Sequence, residues 1–92
     1  MVTIKPMTSY TPKELRALTL AQYAEVVFSH ETVVAQYGGY TYYNLARLQQ
    51  SFERLNRRRS FERSLKKALD DGSLIVGVLV VQGEVINLVA LP

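Results

Sequence analysis

The sequence predicts an α+β fold, with helices over about residues 12–71 packed on a C-terminal antiparallel β-hairpin and Val2–Ile4 as a candidate third strand. Three observations lead there. A helix-start signature stands at Thr11, Pro12 and Glu14; two amphipathic stretches fill residues 44–71; and two Val/Ile/Leu-rich runs flank Gln82-Gly83. Ninety-two residues make one domain, and a 48% apolar share with nine aromatic residues is enough to build a core.

Thr11 can cap a helix, Pro12 suits its first position, and Glu14 completes a capping box. From there Leu20, Tyr23, Ala24, Val27, Val34 and Ala35 recur at helical spacing, and Gly38-Gly39 offers a left-handed stop, so the pattern reads as helix. A rival reading takes Thr32–Tyr37 and Tyr40–Tyr43 as strands around a Gly-Gly turn, because β-branched and aromatic residues concentrate there.

After Asn44, Leu45, Leu48, Phe52 and Leu55 share one helical stripe while Arg47, Arg54 and Arg58 fall on another. Ser60 can cap a further helix, with Phe61, Leu65, Ala68 and Leu69 on its buried face and Gly72 ending it. The hairpin then runs from Leu74 to Val81 and from Val85 to Leu91. No repeat, low-complexity tract or linker-like run interrupts the chain.

Composition narrows the function classes. With no cysteine there are neither disulfides nor thiolate metal sites, and a reducing, cytoplasmic setting is expected. The start of the chain does not read as a secretory signal, and the longest apolar stretch, Leu74–Val81, is far shorter than the roughly 20 residues of a membrane helix. No membrane partner is expected. Catalytic groups are sparse: His30 is the one histidine, Asp70-Asp71 fit no cation-binding pattern, and Gly38-Gly39 lacks the lysine and hydroxyl residue of a phosphate loop. The sequence therefore points away from an enzyme, a cofactor or a metal. Tyr37, Tyr40, Tyr42 and Tyr43 cluster within seven residues and suit packing better than base stacking, since no basic residues alternate with them.

Two features remain as candidate working surfaces. The hairpin is apolar on both faces, with Leu74, Val76, Val78 and Val80 on one side and Ile75, Leu79 and Val81 on the other. Such a ribbon calls for cover from the chain's own helices, from a second copy, or from another protein. The expected interface residues are Leu79, Val81, Val85, Ile86, Leu88 and Val89, and the leading expectation is a non-enzymatic assembly subunit that oligomerises through them.

Between Arg47 and Lys67, eight basic residues face two acidic ones, although the whole chain carries only +3. Arg54, Arg57, Arg58, Arg59, Arg63, Lys66 and Lys67 could therefore track nucleic-acid phosphates, which makes a small dimeric regulator the alternative. Ser60–Asp71 followed by the hairpin resembles the recognition helix and wing of winged-helix DNA-binding proteins, although the hairpin offers only Glu84 where such wings present basic residues. Leu18–Val34 resembles a helix-turn-helix that lacks its usual turn glycine.

Overall fold

The computed structural model describes residues 9–92, and the candidate strand at Val2–Ile4 lies outside them. The chain runs α1 (Pro12–Ala17), α2 (Leu20–Phe28), β1 (Ala35–Tyr37), β2 (Tyr40–Asn44), α3 (Leu45–Leu55), α4 (Phe61–Asp70), β3 (Ile75–Val81) and β4 (Glu84–Ala90). The four strands form one antiparallel sheet in the order β1-β2-β4-β3. This is an α+β fold.

The expected capping box is present: Thr11 Oγ1 accepts from the Glu14 N–H at 3.1 Å and Glu14 Oε1 accepts from the Thr11 N–H at 3.1 Å. The helix it starts is short. Thr19 and Gln22 build a second capping box, with bonds of 3.0 and 3.2 Å, which breaks the helix at Leu18 and begins α2.

The continuous helix from residue 12 to Gly38 is corrected here, and the rival strand reading of residues 32–43 is the one the fold adopts. α2 stops at Phe28, where the Ser29 hydroxyl donates to the Val26 carbonyl at 2.6 Å. Gly38 and Gly39 have φ of 63° and 85° and join the paired Tyr37 and Tyr40. Two consecutive positive φ angles make a hairpin turn that follows the strands' own twist. The helix-turn-helix likeness of Leu18–Val34 falls with the same correction, because that stretch holds one helix.

Asn44 both ends β2 and caps α3, its Oδ1 accepting from the N–H groups of Ala46 and Arg47. The helices pack on one face of the sheet. Leu15, Leu20, Tyr23, Ala24, Val27, Leu48, Phe52 and Phe61 join Leu74 and Val89 from the strands in one buried cluster. Phe52 lies edge-on to both Tyr23 and Phe61, at 5.9 and 5.7 Å between ring centres, and the Tyr23 hydroxyl hydrogen-bonds Ser51. Tyr43 stacks flat on Phe28 at 4.1 Å, tying β2 to α2.

On the opposite face, Tyr42 reaches across β4 to β3. A Cβ at Gly77 would meet its ring at 3.2 Å, so the glycine lets the ring lie flat over the sheet. Leu88 and Ala90, on the strand between, are buried on that side. The hairpin is thus not a free wing: β4 is an inner strand, paired with β2 as well as β3.

Candidate functional site

Directly paired residues of an antiparallel sheet share a face, so the register assigns every hairpin side chain. Val89, buried under the helices, pairs with Val76; Asn87 pairs with Val78, and Val85 with Val80. These residues and Leu74 therefore point to the helix side. Exposure rises steadily along that side of β3: 1% at Leu74, 46% at Val76, 61% at Val78 and 64% at Val80. The partner strand repeats the gradient, from 0% at Val89 to 62% at Val85. The helix layer ends near Val76, and the hairpin overhangs it by about 15 Å.

Val76, Val78, Val80 and Val85 are an exposed apolar stripe on the order of 300 Å², within the roughly 300–600 Å² of the largest patch on a typical monomer, which is often functional. The turn beyond them is Gln82-Gly83, with φ of 51° and 82°, between the paired Val81 and Glu84. A two-residue turn of this kind makes Val81–Glu84 a hydrogen-bonded pair, so hydrogen bonding to β4 falls to Val81, Leu79, Gly77 and Ile75. The N–H and C=O groups of Val76, Val78 and Val80 consequently point away from β4, and β3 is the outer strand. Among the described residues nothing pairs with them. The strand carries no charge and no proline, the usual guards of an exposed edge.

The expected interface residues are distributed unevenly. Val81 and Val85 are exposed, Leu79 and Ile86 are half-buried on the face away from the helices, and Leu88 and Val89 are buried within the protomer. Val76, Val78 and Val80 were not among them. Their alternation with Leu74 was visible, but not where the helices would stop covering it.

The basic residues divide into two groups. Arg54, Arg57, Arg58 and Arg59, joined by Arg16 from α1, line a shallow depression of about 400 Å³ around Leu55 and Asn56 at the α3–α4 junction. Asn56 is buried, and its side chain donates to the Phe52 carbonyl at 3.2 Å, which fixes the turn that carries the arginines. Arg59 is already engaged: it donates to the carbonyls of Arg16 and Leu18 at 3.1 and 3.0 Å and lies 5.1 Å from the Phe52 ring centre. It ties the end of α1 to the core. Arg16, Arg54, Arg57 and Arg58 form no ion pair among the described residues.

Arg63, Lys66 and Lys67 lie along α4 beside Asp70 and Asp71, and Lys66 pairs with Asp70 at 2.9 Å. Their charge is partly offset locally. Hydrogen bonding from Ser73 holds the Asp71 carboxyl below its ordinary value, and the Ser73 N–H sits 2.9 Å from Oδ1. Arg47 is held by Glu31 at 2.8 Å and links the end of α2 to α3. His30 stands exposed just past α2. Among the described residues no helix is long and apolar enough to cross a membrane.

Comparison with known proteins adds no relative. No family model, no curated protein and no solved structure matches the chain. The surfaces described above therefore stand on their geometry alone.

Proposed function

We propose that the chain is a non-enzymatic interaction subunit, working in a cytoplasmic setting, that associates with a protein chain through its C-terminal hairpin. The observation that carries this reading is the exposed valine stripe Val76, Val78, Val80 and Val85, beside the β3 edge that no described strand pairs. Burying roughly 300 Å² of apolar surface on each side is worth on the order of 15 kcal/mol in total before association costs. Those costs are about 4–15 kcal/mol, so at most about 11 kcal/mol remains, which suits a reversible complex and not a permanent one.

The test is a double substitution, Val80→Asp with Val85→Asp. Both side chains are already well exposed, so the carboxylates stay hydrated; Val80 and Val85 are directly paired, and the repulsion between two aspartates there should cost up to about 1 kcal/mol and leave the protomer folded by circular dichroism. Association should be lost. A variant that associates as tightly as the wild type would overturn the reading.

The arginine-lined depression supports a second reading, a small dimeric regulator that contacts nucleic-acid phosphates. Guanidinium groups match phosphate oxygens, and four of them here have no carboxylate partner among the described residues. Binding to a mixed-sequence duplex should then weaken steeply with salt. Each phosphate contact contributes about −0.9 to the slope of log affinity against log salt, so replacing Arg54, Arg57 and Arg58 by alanine should flatten it by up to about three units. Arg59→Ala should mainly lower the melting temperature, because that side chain is spent on α1. Absence of binding to duplex and single strand at low salt would remove this reading.

A further inference from the structure

We infer that the partner at the hairpin is a second copy of this chain, joined by antiparallel pairing of β3 with β3 across a two-fold axis at Val78, so that two four-stranded sheets become one of eight. The inference rests on the reading that the hairpin is the association surface, and it names the occupant.

The first ground is the strand itself. Val76, Val78 and Val80 present both the backbone groups that no described residue pairs and the exposed side chains of the stripe. They are symmetric about Val78. A two-fold axis there sets Val78 against Val78 and Val76 against Val80 of the second copy, matching each residue to one of the same type. Three hydrogen-bonded residue pairs then form, with two bonds each. No charge on β3 opposes its own image, since the strand is Ile-Val-Gly-Val-Leu-Val-Val throughout. The other sheet edge, β1, has three residues and offers much less to pair with.

The second ground is what such pairing does to the overhang. The two-fold axis of an antiparallel strand pair runs perpendicular to the sheet, so both helix layers fall on the same side. The strands run in opposite directions, so each hairpin tip lies beside the other copy's base. Val80 then stands opposite Val76 of the second copy, one step from that copy's Leu74, which its helices bury. Adjacent strands are about 4.8 Å apart, so the helix layer of each copy flanks the uncovered valines of the other. One symmetry operation pairs the open edge and sets the two stripes side by side between the two helix layers. An unrelated strand added to β3 would pair the edge, but would bring no helix layer to the overhang.

The third ground is area. The stripes of two copies together supply on the order of 600 Å², short of the roughly 1,200 Å² of a standard interface. Edge pairing over seven residues and the flanking helices supply surface that a stripe-to-stripe contact lacks.

The test uses the absence of cysteine from the chain. In a hydrogen-bonded antiparallel pair the Cα and Cβ atoms are both about 5.5 Å apart, beyond the roughly 3.5–4.5 Å between Cβ atoms that an unstrained disulfide needs but within reach of a short bis-maleimide. Val78→Cys should therefore be joined to a covalent dimer by a short bis-maleimide. Val85→Cys is the control. It is on the same face but on β4, which places it about 14 Å or more from its mate, and it should not be joined by the same reagent. Val78→Pro removes an outward N–H that β4 does not use, and should weaken association at least about tenfold while leaving the protomer folded.

A covalent dimer with Val78→Cys and none with Val85→Cys supports the inference. If the wild type associates and Val80→Asp with Val85→Asp abolishes it, while Val78→Cys does not cross-link and Val78→Pro has no effect, the hairpin is the interface but the partner strand is not β3. That overturns the inference and leaves the reading beneath it in place. A wild type that stays monomeric at every concentration overturns both.

Discussion

Val89→Asp should unfold the protein, whereas Val85→Asp, four residues earlier on the same strand and the same face, should leave it folded. Val89 is fully buried between the sheet and the helices, with Leu74 and Phe52 in the same cluster. A carboxylate there has no hydrogen-bond donor to replace water, and the loss should be at least about 4 kcal/mol. For a domain whose whole stability is about 5–15 kcal/mol this is close to complete unfolding. Burial raises the pKa of that carboxyl in the folded state, so the damage should lessen as pH falls through the raised value and be least below about pH 4, where the group is protonated in both states. Val85 is mostly in water, and its aspartate should be read in assembly and not in melting. Thermal denaturation of the two variants, at a concentration where both are monomeric, separates them. Equal melting temperatures would mean that Val89 is not a core residue.

Phe52→Ala should cost about 3–5 kcal/mol, lowering the melting temperature by roughly 15–30 °C. The ring has no exposed surface, meets Tyr23 and Phe61 edge-on, and carries the Arg59 guanidinium above it. Three helices converge on it, and the ring contact is part of how Arg59 holds the end of α1. Neither Tyr23 nor Phe61 can swing into the space without giving up its own contacts. The check is a denaturant titration monitored by far-ultraviolet circular dichroism; a loss under about 1 kcal/mol would show that the core repacks around the missing ring.

Much of this architecture is legible locally. Thr11, Pro12 and Glu14 mark a helix start because a capping box involves four consecutive residues and nothing beyond them. The α3 stripe, Ser60 and the Gln82-Gly83 turn are local in the same sense. What misleads is continuity of apolar spacing: Leu20 to Ala35 looks like one helical run, and the second capping box at Thr19 and Gln22 is hidden inside it. Gly38-Gly39 serves a helix end or a hairpin equally well. The choice is made by Tyr43 pairing with Val89, some 46 positions away, and no local pattern carries that.

The working surfaces follow the same division. That the hairpin is apolar on both faces is plain from alternate residues. Which half stays uncovered depends on how far the helices extend over the sheet, so Val76, Val78 and Val80 emerge only from the packed structure while Leu88 and Val89 withdraw into it. Arg57, Arg58 and Arg59 are indistinguishable as a run of three. Only the approach of α1 gives Arg59 two carbonyls to bind, while Arg57 and Arg58 form no ion pair among the described residues.

The central claim, that the hairpin is an association surface, is tested most directly by sedimentation equilibrium of the wild-type protein from about 1 to 100 μM in moderate salt. The expected result is a mass that rises from one chain of 10.4 kDa toward two as concentration increases. A single-chain mass that does not change across that range would contradict it.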